Sequence, residues 1–272
     1  MSLKKFQDKV VLITGSSSGI GKTTAIEMSK QGACIVLNGR NKQKLLRVEE
    51  QIRSQGGKVT SFCCDITNPV SSKNLLDFTL ESFGKLDILI NNAGVSMRGK
   101  FSELKPEVFK TVFNINVLGS VNVSIPALPY IKKTKGSIVF MSSVAGIRGL
   151  PGNSAYSSSK MALRAIAESI RIEEANSNIH VGLIYVGITE IEKGKKTIGA
   201  DGSLISLQDR SGFNVQSLDQ VANSIIKNIE RRKFITVLTL MGKLNAFLQP
   251  IVPEIVEHIL INSSKQIKAR VL

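Results

Sequence analysis

Tyr156, Lys160 and Ser143 carry side chains that could move a proton to or from a carbonyl or hydroxyl group. Tyr156 and Lys160 sit at i and i+4 in Tyr156-Ser-Ser-Ser-Lys160, and the stretch after them is rich in helix formers with apolar positions at helical spacing. On a helix the two side chains therefore share one face. A phenol, with an ordinary pKa of about 10, is a poor acid or base near neutral pH. A fixed ammonium beside it favours the phenolate and lowers that pKa. Ser143, in Met141-Ser142-Ser143-Val144, could hydrogen-bond the same reacting oxygen. Taken alone, such a pair is more often a surface tyrosine and a solvated lysine. The elements that would position it must decide.

Those elements alternate. Short apolar runs at Lys9 to Thr14, Ala33 to Leu37, Lys58 to Cys63, Leu86 to Ile90, Gly136 to Met141, Ile179 to Tyr185 and Phe234 to Leu238 read as strands. Helical stretches separate them: one ending near Gln31, Asn41 to about Gln55, Pro69 to Phe83, a long one from Pro106, the Tyr156 helix, and Leu218 to Arg231. Apolar strands alternating with helices predict an α/β fold with a doubly wound parallel sheet of Rossmann type, covered on both faces. One domain is expected over residues 1–238, with a helical tail over 239–272. The Gly-rich stretch Ile188 to Val215 escapes the alternation and reads as a mobile loop or small helices.

The turn after the first strand, Thr14-Gly15-Ser16-Ser17-Ser18-Gly19-Ile20-Gly21, is where a phosphate would meet helix N-terminal amides. Gly15 would make the tight turn, Gly19 would allow close backbone approach, and Gly21 would let the helix pack on the strand. A P-loop is the rival, since Gly21-Lys22-Thr23 resembles the end of one. That motif needs a glycine at position 16, which is serine, and an aspartate at the end of an apolar strand, whereas Asp87 begins its strand. The second strand ends Leu37-Asn38-Gly39-Arg40 with no acid to take a ribose 2′-hydroxyl. Arg40 offers a charged fork suited to a 2′-phosphate, so NADP(H) is favoured over NAD(H); the alternative is a solvated arginine at a helix start.

The formal net charge of +15 suits anionic cofactors, acidic partners or anionic lipid. Its even spread, 5% aromatic content and lack of tryptophan argue against a nucleic-acid partner. No apolar run of membrane-spanning length and no secretory signal is read. Cys34, Cys63 and Cys64 have no metal-ligand spacing and read as reduced, buried thiols in a cytoplasmic protein, with no metal site. His180 and His258 read as structural or surface residues.

With these residues in order, residues 7 to 238 resemble the short-chain dehydrogenase/reductases in their shorter, single-domain form. The resemblance implies that the glycine turn, including Ser17, Ser18 and Ile20, binds the cofactor. It also implies that Asp65, followed by Ile66, holds the adenine amino group, and that Asn92, Ala93 and Gly94 close the cofactor cleft. Asn116, Ser143, Tyr156 and Lys160 then correspond to the catalytic tetrad. Tyr156 is expected to be the proton donor or acceptor and Ser143 to stabilise the substrate oxygen. Lys160 is expected to lower the tyrosine pKa and hold the ribose, and Asn116 to anchor a proton-relay water. The implied substrate is a small-molecule carbonyl or alcohol, and the implied assembly is a homodimer or homotetramer through the helix carrying Ala162, Ala165, Ile166 and Ser169. The chain departs from the family at Val186-Gly187-Ile188-Thr189, where Pro-Gly is usual and the threonine lies later. It departs again at Ser18, where NADP-preferring members often carry a basic residue.

The tail repeats apolar residues at helical spacing, from Met241, Leu244, Phe247 and Leu248 through Ile251, Val252, Ile255, Ile259 and Leu260. Pro250 and Pro253 predict two segments rather than one helix. Such a stripe packs on its own domain or a neighbouring subunit, walls the substrate cleft, or rests on an anionic membrane. The last two readings point to an apolar, lipid- or steroid-like substrate.

Overall fold

The computed structural model describes residues 5–192, 194–207 and 215–271, with side chains as far as residue 262. Seven parallel strands form the central sheet. They are β1 (Val10–Ile13), β2 (Cys34–Gly39), β3 (Lys58–Cys63), β4 (Ile88–Asn91), β6 (Ser137–Ser143), β7 (His180–Val186) and β10 (Ile235–Val237), ordered β10-β7-β6-β4-β1-β2-β3. The order reverses between β1 and β4, the point at which a doubly wound sheet opens a crevice at its carboxyl edge.

Period-two alternation sorts each strand into two cores. Val11, Ile13, Ile35, Leu37, Val139 and Ile184 point to one face, where they meet α1 (Gly19–Lys30), α2 (Lys42–Ser54) and α7 (Leu218–Glu230). Val10, Leu12, Val36, Leu89, Phe140 and Leu183 point to the other, where they meet α3 (Pro69–Phe83), α5 (Gly119–Thr134) and α6 (Ser154–Glu173). All of these strand residues are essentially buried, which is why the runs lack polar alternation. The two edge strands, β3 and β10, are less covered. In β3 Cys63 is exposed, and Cys64 just after it is half-buried, correcting the expectation of three buried thiols: an edge strand has a neighbour on one side only.

The long helical stretch is not uniform. α4 (Pro106–Phe113) passes through a π-helical turn at Asn114–Leu118 into α5. The extra residue in that turn re-aims Asn116 into the fold, where it is fully buried. Residues 106–134 are long and apolar enough to cross a membrane, an 18-residue stretch within them reaching mean hydropathy 1.3. Val123, Ala127 and Ile131 of this stretch are nevertheless wholly buried against the sheet, as in a core helix.

The Gly-rich stretch also differs from expectation. Its described part holds no helix. β8 (Lys196–Gly199) and β9 (Leu204–Ser206) instead form an antiparallel hairpin, and β8 pairs with β5 (Met97–Arg98) as a second small sheet. The hairpin closes because Gly202 takes φ +92° and the Asp201 carboxylate accepts from the Ser203 amide and hydroxyl at 2.9 and 2.7 Å. Residues 208–214 of that stretch lie outside the described residues.

The tail forms α8 (Leu240–Leu248) and α9 (Pro253–Val271), broken where the prolines interrupt it. It is fastened by Arg148, which donates to Gln249 Oε1 at 2.7 Å and to the Pro253 carbonyl and Glu257 Oε2, each at 2.9 Å. Val256 is buried, while Met241, Phe247 and Ile251 are 75%, 65% and 60% exposed, so much of the apolar stripe stays uncovered in the single chain.

Candidate active site

The carboxyl ends of β1, β2, β4, β6 and β7 open into one cleft of about 420 Å³. Its floor is the glycine turn. Gly15 holds φ +64°, and a Cβ there would lie 2.8 Å from the Ala93 Cα, so only glycine fits. Thr14 Oγ1 accepts from the amides of Asn92 and Ala93 at 3.0 and 3.1 Å, and Asn92 Nδ2 donates to the carbonyls of Thr14 and Gly15 at 2.9 and 3.0 Å. The glycine turn and the Asn92-Ala93-Gly94 segment are thereby stitched into a single wall. Ser16 ties the turn to β2, its amide donating to the Asn38 carbonyl at 2.8 Å and its hydroxyl accepting from the Asn38 amide at 2.9 Å.

Gly15, Ser17, Ser18, Gly19 and Ile20 line the cleft at this end, and Arg40, Asp65 and Ile66 line it beyond β2 and β3. Arg40 and Asp65 form an exposed ion pair at 3.7 Å. Asn92, Ala93 and Gly94 line the wall between these residues and Ser143, Tyr156 and Lys160. Gly21 does not line the cleft. A Cβ on it would lie 2.5 Å from Asn92 Nδ2 and from the Gly15 carbonyl, so its part is close packing behind the turn.

The tertiary fold brings Ser143, Tyr156 and Lys160 together at the far end. Ser143 ends β6, and its Oγ accepts from the Ala145 amide at 3.2 Å, which leaves the hydroxyl hydrogen for a substrate oxygen. Lys160 is buried, and its Nζ donates to the Met141 carbonyl at 2.8 Å. Its Nζ lies 5.8 Å from the centroid of the Tyr156 ring. Burial pulls its pKa down to about 8.

Asn116 stands one layer behind, outside the cleft lining. Its Oδ1 accepts from the Val95 amide at 2.8 Å, and its Nδ2 donates to the Val95 carbonyl at 3.0 Å and to Ser159 Oγ at 2.9 Å. Ser159 Oγ in turn donates to the Tyr156 carbonyl at 2.7 Å. The amide thus braces the segment after Gly94 against the helical turn between Tyr156 and Lys160. Gly94 fits this junction closely, since a Cβ there would lie 3.1 Å from Asn116 Oδ1 and 3.3 Å from Lys160 Nζ.

Sequence motifs did not mark the remaining wall. Ser142, which donates to the Lys160 carbonyl at 2.9 Å, supports α6 from below. Thr189, Glu190, Ile191, Lys195, Lys196 and Leu207 reach the cleft from the segment after β7. Thr189 lies in the lining although it precedes the family position, held by bridge pairing with Gln216.

The sequence profile described as short chain dehydrogenase matches residues 9–200. The chain belongs to the short-chain dehydrogenase/reductase family of oxidoreductases. It is 35% identical over 257 residues to 11-beta-hydroxysteroid dehydrogenase 1A of Arabidopsis thaliana, covering 92% of this chain and 73% of that protein. Over 233 residues it is 38% identical to 3-ketodihydrosphingosine reductase of Bos taurus, covering 82% of this chain and 69% of that one. A short-chain dehydrogenase/reductase from Burkholderia phymatum in complex with NAD shares the fold at TM-score 0.81 and 23% identity, covering 92% of this chain and 96% of that one. An alcohol dehydrogenase from Thermococcus sibiricus complexed with 5-hydroxy-NADP does so at TM-score 0.74 and 24% identity, covering 85% and 95%.

Proposed function

We propose that the protein transfers hydride between NADP(H) and a carbonyl or secondary alcohol on an apolar, lipid- or steroid-like substrate. The observation that carries this reading is the convergence of Ser143, Tyr156 and buried Lys160 in the same cleft as the glycine turn. The cleft fits a nicotinamide dinucleotide. The amides of the α1 N-terminus suit a pyrophosphate, Gly15 and Gly94 allow backbone approach, and Asp65 and Arg40 stand at the adenosine end. When bound, the nicotinamide supplies or accepts the hydride.

The chain's own residues do the rest. In reduction, the Tyr156 hydroxyl gives its proton to the carbonyl oxygen, and the Ser143 hydroxyl donates a hydrogen bond to that oxygen as negative charge develops. The Lys160 ammonium stabilises the phenolate that remains and keeps donors to offer a ribose hydroxyl, since only one of its hydrogens is used by Met141. Asn116 holds this group in register through Ser159 and Val95.

Arg40 supports the choice of NADP(H): it is 64% exposed at the cleft rim, where its guanidinium can exchange the long Asp65 contact for a 2′-phosphate. An apolar substrate is supported by the names of two relatives, a hydroxysteroid dehydrogenase and a ketodihydrosphingosine reductase, and by the uncovered stripe of α8. That helix starts beside the site, with Gly242 packed on Val144, so the stripe can extend the apolar wall of the cleft or rest on anionic lipid next to it. A homo-oligomer is part of the proposal. Met161, Ala165, Ser169 and Ile172 form an exposed row on α6, while of the expected stripe Ala162 is half-buried and Ile166 packs against the chain's own core.

The test is oxidation of NADPH, followed by absorbance, with steroid ketones and long-chain 3-ketones. Turnover with NADPH preferred over NADH by ten- to a hundredfold is expected from one charge-assisted phosphate contact of about 1.5–3 kcal/mol, and Arg40→Ala should erase the preference. No turnover with any ketone would overturn the activity, and equal affinity for the two cofactors would overturn the role of Arg40.

A further inference from the structure

The pyrophosphate seat already has an occupant. The Gly19 amide, first in α1, donates to Glu192 Oε1 at 2.6 Å across 173 residues of sequence. Helix α1 has nothing of its own to satisfy this donor: its N-cap Ser18 makes no side-chain cap and its first turn contains no acid. The N-terminal amides of a helix and its dipole favour an anion, whether carboxylate or phosphate. Glu192 lies in the segment after β7 whose neighbours Ile191, Lys195 and Lys196 line the cleft. The root of that segment is pinned, the Glu190 amide donating to the Gln216 carbonyl at 3.0 Å and Glu190 Oε2 accepting from the Leu218 amide at 3.2 Å. Glu192 is therefore presented to α1 by a short segment held before it at Gln216 and Leu218 and after it by the pairing of β8 with β5 and β9.

Resting on the reading of this cleft as a dinucleotide site, we infer that Glu192 determines cofactor affinity. Its carboxylate takes the place on this helix end that a pyrophosphate would take, and a binding cofactor must displace it. The same segment lines the cleft, so cofactor entry and the shape of that wall are coupled.

Glu192→Ala tests this in the full chain. A seat filled about nine-tenths of the time weakens apparent affinity about tenfold. The variant should therefore bind NADPH and ADP-ribose, both pyrophosphates, about tenfold more tightly, with no change for adenosine 2′-monophosphate, which lacks one. Backbone hydrogen exchange supplies the second readout. The Gly19 amide has no acceptor within its own helix, so its protection in the cofactor-free protein should be lost in Glu192→Ala. Glu192→Gln, which keeps an acceptor oxygen but no charge, should fall between. Unchanged NADPH affinity would overturn the inference. Tightening shared by adenosine 2′-monophosphate, or tightening with unchanged Gly19 exchange, would show simple charge repulsion and overturn it too. If neither form bound NADPH or ADP-ribose, the dinucleotide reading of the cleft would fail along with it.

Discussion

The two edges of the sheet hold polar groups in opposite ways. At the amino edge, Asp87 is 2% exposed and every strong partner it could want is present: Lys9 and Lys85 at 2.9 Å each, and the Val10 amide at 2.9 Å. Burial alone would raise its carboxyl pKa, but hydrogen bonds from Lys85, Val10 and Lys9 outweigh it and hold the value below the ordinary 3.8. His180, at the same edge, meets Ser137 Oγ at 3.2 Å and the Lys233 carbonyl at 2.9 Å. The carbonyl can only accept, so Nε2 carries the proton, and burial lowers the ring's pKa to about 4, leaving it neutral. At the carboxyl edge, Lys160 is also buried but has, among the described residues, one hydrogen bond and no carboxylate partner, and its pKa falls to about 8. Satisfied charge stabilises the fold; under-satisfied charge is kept where a ligand can complete it.

The largest expected break in this contrast is Tyr156→Phe. It should lower kcat by about a thousandfold, the scale of losing a positioned acid, with the thermal midpoint unchanged. A variant retaining a tenth of the rate on the best substrate would remove Tyr156 from the chemistry.

Lys160→Met should split the two properties. Activity should fall by about a hundredfold or more, while the thermal midpoint rises because a costly buried ammonium is gone. The wild-type protein should also gain stability relative to this variant as pH rises from about 8 towards 10.5, where the unfolded chain holds the lysine proton and the folded chain has released it. Denaturant midpoints measured across that range would decide; parallel profiles would contradict the depressed pKa.

Asp87→Ala should do the reverse, costing about 2 kcal/mol of stability with kcat per folded molecule unchanged. Because the Asp87 pKa is depressed on folding, its contribution is present above about pH 4 and is lost as pH falls through the lower folded value. An acid titration of both proteins followed by circular dichroism would show their midpoints converging. A large drop in kcat would mean that the amino edge is not merely structural.

The smallest effect is expected from a chain ending at Thr239. Loss of α8 and α9 should raise KM for apolar ketones several-fold and leave small ketones unaffected. Equal kinetics on both classes, with no difference in binding to anionic vesicles, would remove the tail from substrate handling.

Much of this was legible in the sequence because it depends on short-range pattern. Apolar runs such as Val10 to Ile13 report burial on both faces, and i, i+4 spacing puts Tyr156 and Lys160 on one helix face whatever surrounds them. The glycine turn was readable for a related reason, because a side chain at Gly15 would meet the Ala93 backbone; Asn92-Ala93-Gly94 was readable through the resemblance to the family. What the tertiary structure decided lies where contact depends on chain separation. The hairpin of β8 and β9 arises from weak alternation around one turn and becomes a wall only by pairing with β5, about a hundred residues earlier. Nothing near position 116 says that its amide will brace Val95 and Ser159, because the π-helical turn that aims it is set by packing on both sides. Glu192 carries no local sign that it will sit on Gly19. Its sequence specifies a charged residue in a loop, and only the fold, by pinning Glu190 and Gln216, places that charge on a helix end that lacked one.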